Sequence, residues 1–219
     1  MTNSNLGSFL VQKPRPLPIL VAVDRSGSMS EDGKIDALNL SLRNFINSIR
    51  DEDGERAELQ ISIISFGGNQ AVIDVPLTPV SEITEIKEYV ASGRTPMGSA
   101  FVAIKEMIED RNKISSRSYK PTIVLFTDGI PTDDYAKAMN DLIKEGRSSK
   151  AIRIAMAMGD DADVDMLSGF VSSKDYLVKG ENAKDIVRFF KFVTMSVQSR
   201  TKSQTPDNPP VPNIEEIDF

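Results

Sequence analysis

Asp24, Ser26 and Ser28 stand at every second position directly after an apolar run over residues 17–23. In an extended loop that spacing sends the two hydroxyls to the same side. The carboxylate is then in register to accept hydrogen bonds from them or from metal-bound water. Oxygen donors of this kind suit a hard cation such as magnesium, which takes near-octahedral oxygen coordination and keeps several waters. Two further oxygen-bearing loops follow: Arg94-Thr95-Pro96, and Thr127-Asp128-Gly129 at the end of a second apolar run. Each adjoins a regular element, so three loops could converge on one ion.

Each of these residues also has an ordinary structural use. Ser, Asp and Gly form turns and cap helices, so Asp-x-Ser-x-Ser alone is a weak signal. Asp128 is different, because a carboxylate at the end of an apolar strand is costly unless something pairs with it. In the run 127–134, Thr132 or Asp133 reads as a cap for the next helix, whose dipole favours acids in its first turn. Pro96 holds Thr95 extended. Its claim to a role rests on the other two motifs.

The elements that must position these loops alternate. Residues 17–23 form a continuous apolar run of strand length. From Lys34, the residues Ile35, Leu38, Leu42, Phe45, Ile46 and Ile49 recur on one helical face. Residues 59–66 and 70–77 read as strands, and the short Gly67-Gly68-Asn69 link makes that pair an antiparallel hairpin. A short helical piece over 82–90 leads to the loop 92–98. Helices then follow over 99–111, 134–144 and 184–197, with strands over 122–126, 151–158 and 176–178. The pattern predicts an α/β fold, doubly wound around a mostly parallel sheet, with one antiparallel edge strand and helices on both faces. Such sheets bind ligands outside the carboxyl ends of their strands, where strand order reverses. Asp24 and Asp128 both fall at such ends.

Composition narrows the chemistry. The chain has 219 residues, enough for one well-buried domain with extra length at the ends. A net charge of -6 with scattered basic residues speaks against a nucleic acid partner. There is no cysteine and no histidine, which removes disulfides, thiolate zinc sites and Ser-His-Asp or Cys-His catalysis. Any metal must be held by oxygen, which favours Mg2+, with Mn2+ or Ca2+ as the other choices. No stretch reaches the roughly 20 apolar residues that span a bilayer. The polar start over 1–12 lacks the features of a signal peptide. The expectation is a cytoplasmic protein with no membrane association. The acidic cluster Asp160, Asp161, Asp163 and Asp165 reads as a solvated loop capping a short helix.

Taken in order, Asp24-x-Ser26-x-Ser28, Thr95 within the loop 92–98, and Thr127-Asp128-Gly129 resemble the metal-ion-dependent adhesion site (MIDAS) of von Willebrand factor A domains. The resemblance covers residues 16–199. Segments 127–134 and 158–167 look like the small bacterial A-domain proteins of the TerY type, associated with tellurium-resistance loci. Some of those carry a cysteine-rich zinc module that this chain lacks, and Arg94 stands where a glycine is common. The resemblance implies a Mg2+ ion with hydroxyl ligands from Ser26, Ser28 and Thr95, the last directly or through water. Asp24 and Asp128 would act largely through waters or as acceptors behind the ligands. Neutral hydroxyls leave the ion electrophilic. An open position then awaits a Glu or Asp carboxylate of a protein partner, with Arg94 placed to assist it.

Two functional classes follow. The first is a non-enzymatic binding module, an adaptor in a bacterial stress-response assembly. The second is a Mg2+-dependent phosphohydrolase using Asp24 as nucleophile. That chemistry wants a second carboxylate close by and a lysine clamp for the phosphate. Arg25-Ser26 follows Asp24 instead, which favours the binding module. The expected organisation is a flexible segment over 1–15, the domain over 16–199 and a Pro-containing acidic tail over 200–219. That tail is either disordered or a docking peptide, for a partner or a second copy, with Ile214, Ile217 and Phe219 as anchors.

Overall fold

The computed structural model describes residues 14–52 and 57–214, so Ile217, Phe219 and most of the segment 1–15 lie outside the described residues. Six strands form one sheet in the order β3-β2-β1-β4-β5-β6. They are β1 (Arg15–Asp24), β2 (Ala57–Gly67), β3 (Gln70–Pro79), β4 (Thr122–Thr127), β5 (Ile152–Met158) and β6 (Leu177–Gly180). All pairs are parallel except β2 with β3. This is the expected doubly wound α/β architecture with one antiparallel edge strand.

β1 is central, yet it contains Pro16 and Pro18, which cannot donate to a ladder. The pairing explains how both are tolerated. β1 runs beside β2 from Arg15 but gains β4 only from Ile19, after both prolines. From Leu17 to Asp24 every residue is buried, as a strand covered on both faces requires.

Five helices cover the sheet: α1 (Lys34–Arg50), α2 (Met97–Glu109), α3 (Tyr135–Lys144), α4 (Val164–Phe170) and α5 (Ala183–Lys202). α1 packs on α5 and α2 on α3. Right-handed crossovers from the sheet centre outward in both directions put these pairs on opposite faces. The aromatic contact of Phe45 with Phe190, at 5.9 Å between ring centroids, joins α1 to α5. Asp163 caps α4 by accepting from the Met166 amide, as the acidic loop predicts.

One element differs from expectation. The helical piece over 82–90 is absent: a single 3-10 turn over Val80–Glu82 gives way to irregular chain. Side chains of α1 take the backbone groups that a helix would have used. Asn39 holds both the N–H and the C=O of Tyr89, at 2.8 and 2.9 Å, and Arg50 donates to the Ile83 carbonyl at 2.6 Å. The β-branched residues Ile83, Thr84, Ile86 and Val90 add little helix propensity to resist this.

α5 continues to Lys202, drawn on by Arg200, which is buried beneath the sheet. The chain then turns back. Arg200 donates to the Pro206 carbonyl, Asp207 accepts from the Lys120 amide, and Arg188 donates to the Ile214 carbonyl. Val211 and Ile214 are partly buried against the core, so the chain over 203–214 lies along its own domain.

Candidate metal centre

β1 and β4 are neighbours, with Val23 opposite Phe126, so the loops leaving their carboxyl ends face each other where strand order reverses. Asp24 ends β1 and is fully buried. Its Oδ1 accepts from the Ser26 backbone N–H at 2.8 Å and its Oδ2 from the Thr127 hydroxyl at 2.7 Å. The Ser28 hydroxyl donates to Asp128 Oδ1 at 2.7 Å, and the Ser26 and Ser28 oxygens lie 3.0 Å apart. Since Ser28 has given its one proton to Asp128, Ser26 is the donor between the serines. Protons therefore run Ser26 to Ser28 to Asp128, and each serine oxygen retains a lone pair for another group.

Thr95 reaches the same place from the loop before α2. A side chain on Gly129 would begin 3.6 Å from Thr95 Oγ1 and 4.0 Å from Ser28 Oγ, so both hydroxyls border one space beside that glycine. The structure thus gathers all five residues of the expected set, Asp24, Ser26, Ser28, Thr95 and Asp128. Four are linked directly by hydrogen bonds, and Thr95 adjoins them across Gly129.

The loops are tied to each other by backbone. The Gly27 amide donates to the Gly93 carbonyl, Ser92 to Arg25, Arg25 to Phe66, Gly68 to Ser92 and Arg94 to Gly68. Gly68 and Gly93 cross so closely that a Cβ on Gly93 would overlap the Gly68 backbone, and both have positive φ, 72° and 80°. Only glycine suits both demands. On the other side, Thr95 and Thr132 exchange hydrogen bonds, at 3.0 and 2.9 Å. Asp133 takes the Gly98 and Ser99 amides at 2.9 Å each. Asp133 is therefore a cap, as its residue type suggests, but it caps α2 rather than the helix that follows it in sequence. It fastens the loop after β4 to the loop that carries Thr95.

Burial raises the Asp24 carboxyl to about 6, the main cause being loss of solvent around the charge; the Thr127 and Ser26 hydrogen bonds oppose the rise and the Asp128 charge adds to it. A carboxylate that is ionised at neutral pH yet disfavoured by its burial is a group that gains from a cation. Three hydroxyls, two carboxylates and free lone pairs on one rim fit a hard divalent ion. The set contains only two acids, and no group of three or more Asp, Glu, His or Cys side chains suited to a metal exists among the described residues. The hydroxyls make up the donor set.

Sequence reasoning missed two members. Lys34, the first residue of α1, places Nζ 2.9 Å from Asp128 Oδ2, with only 13% of its side chain exposed. It is the one cation of the run Glu31-Asp32-Gly33-Lys34 that leads into α1, and that isolation beside a carboxylate motif was the available signal. Thr127 was read as part of a motif, whereas its hydroxyl is what orients Asp24. At the rim, Arg94 is exposed and Ile130 is 61% exposed.

A family model of the von Willebrand factor type A domain matches residues 19–191. The chain belongs to this family. No curated protein matches it significantly. Among solved structures, proximal thread matrix protein 1 from the mussel byssus superposes with a TM-score of 0.67 at 16% identity, over 83% of this chain and 48% of that one. The pilus adhesin SpaC from Lactobacillus rhamnosus GG gives a TM-score of 0.68 at 14% identity, over 87% of this chain and 31% of that one. The chain thus spans half the length of these two proteins or less. A further structure of the mussel protein, with a zinc-occupied MIDAS motif, gives a TM-score of 0.62 at 14% identity, over 84% of this chain and 46% of that one. These likenesses concern the fold. No helix among the described residues is long and apolar enough to cross a membrane.

Proposed function

We propose that this domain is a non-enzymatic protein-binding module that grips a Glu or Asp carboxylate of its partner through a divalent ion, Mg2+ in the cell. The observation that carries the reading is the convergence of the Ser26, Ser28 and Thr95 hydroxyls with Asp24 and Asp128 at the strand-order switch. The mussel protein, which has a zinc-occupied MIDAS motif, supports it by likeness of fold. When bound, the ion supplies an electrophilic position for an incoming carboxylate.

The chain's own residues do the rest. Ser26 and Ser28 hold their free lone pairs toward the rim because Asp128 takes the proton at the end of their chain. Asp24 stays behind them, with both oxygens already engaged. A fully buried carboxylate so occupied is a poor nucleophile, which weighs against the phosphohydrolase alternative. Arg94 is exposed beside Thr95, where it assists an acidic partner, and Ile130 offers that partner an apolar contact.

The likeness of segments 127–134 and 158–167 to TerY-type proteins supports a cytoplasmic adaptor role in a bacterial stress-response system, of the kind associated with tellurium resistance. The test is affinity capture from the host's lysate in Mg2+ and in EDTA, beside Asp128→Ala. The expected result is a partner retained only by the wild type with Mg2+. Identical capture in every condition would overturn the reading.

A further inference from the structure

Both oxygens of Asp128 are engaged within the protein, and each keeps a further acceptor position. Ser28 donates to its Oδ1 at 2.7 Å and Lys34 to its Oδ2 at 2.9 Å. Asp128 is buried, with no exposed surface on its side chain, while Lys34 is mostly covered and issues from the first turn of α1 rather than from a loop. Screening by salt and water is therefore weak, and the lysine cannot leave without uncovering a buried carboxylate.

The formal charges of the hydrogen-bonded set decide what this means. Asp24 and Asp128 contribute two negative charges and Lys34 one positive charge, leaving one net negative. A divalent ion entering this set leaves one uncompensated positive charge in a poorly solvated place. A carboxylate from outside brings the sum to zero. Without Lys34 the two aspartates would balance a divalent ion alone, and an incoming carboxylate would meet a neutral centre.

We propose that Lys34 is the residue that makes ion and acidic partner bind together: it weakens the ion when alone and reserves the last charge for the partner. This rests on the metal-dependent reading above and deepens it. Three consequences are specific. Neutralising Lys34 tightens the ion in the absence of partner, against the usual expectation that losing a buried ion pair harms a site. Arg at the same position, which keeps the charge, behaves like the wild type. The gain in ion affinity that a carboxylate confers shrinks when Lys34 is neutral.

The experiment measures Mn2+ affinity by electron paramagnetic resonance for wild type, Lys34→Met and Lys34→Arg, with acetate or an equal ionic strength of chloride. Thermal melts check folding, and Lys34→Gln serves as a second neutral variant. The expected result is at least tenfold tighter Mn2+ binding by the neutral variants in chloride, and an acetate enhancement larger for the wild type than for them. Wild-type binding with unchanged or weaker binding by Lys34→Met and Lys34→Gln overturns the proposal and leaves the metal site standing. So does an equal acetate enhancement in all proteins. Absence of Mn2+ binding by every protein overturns both this proposal and the reading it rests on.

Discussion

The two ends of the sheet each bury charge, and they do so by opposite means. At the amino end Arg200 lies beneath β4, where it donates to the Pro206 carbonyl, the Thr122 hydroxyl and the Lys120 carbonyl, at 2.8, 2.5 and 2.7 Å, and faces Asp207 at 3.5 Å. Burial lowers its guanidinium to about 10, so it stays charged at neutral pH. Each of these partners is supplied by the chain itself, and each of the three guanidinium nitrogens has one. At the carboxyl end two aspartates share one rim, one of them raised to about 6, beside hydroxyls that keep unused lone pairs. A buried charge that the fold completes is a fastener. One that the fold leaves incomplete is a site.

The largest effect that separates the two ends should come from Arg200→Met. Losing its polar partners beneath the sheet is expected to cost about 3 kcal/mol in urea unfolding, while the response to Mg2+ stays as in the wild type. A lost Mg2+ response would show that the ends are coupled.

The next test sharpens the carboxyl end through pH. Asp24 has a folded pKa of about 6 against an ordinary 3.8. Its favourable contribution is thus present below the unfolded value and is lost as pH rises through about 6. In EDTA, the stability of wild type relative to Asp24→Asn should fall by about 2–3 kcal/mol between pH 4 and pH 7. A flat difference would mean that water reaches Asp24.

Smaller again is the effect of the ion itself. Mg2+ at ten times its dissociation constant should stabilise the wild type by about 1.4 kcal/mol. That corresponds to a rise in melting temperature of roughly 3–6 °C. Asp128→Ala should show none. The smallest effect concerns the cap between loops: Asp133→Ala should lower stability by about 1 kcal/mol and blunt the Mg2+ shift, because it releases the loop carrying Thr95.

The five oxygen-bearing residues were legible because their chemistry is written locally, as three short motifs at strand ends. The sheet was legible because continuous apolar runs and one-faced helices have distinct periods. Lys34 and the true partner of Asp133 were not, since each acts across a long sequence separation: Lys34 meets Asp128 94 residues away, and Asp133 meets the Gly98 amide 35 residues away. The false helix over 82–90 has the same origin. Asn39 lies 50 residues from Tyr89, and its capture of that backbone belongs to tertiary structure.

The glycine crossing has a consequence for motion. Five amides, those of Arg25, Gly27, Gly68, Ser92 and Arg94, are stitched among the first serine loop, the β2–β3 turn and the loop leading to Thr95. None of these loops can open by itself without breaking bonds that belong to another. In hydrogen exchange the five should therefore lose protection as one cooperative unit rather than fray singly. The order this imposes is established during folding, so a partner of the kind proposed would meet a rim already in place and would spend little of its binding energy arranging it.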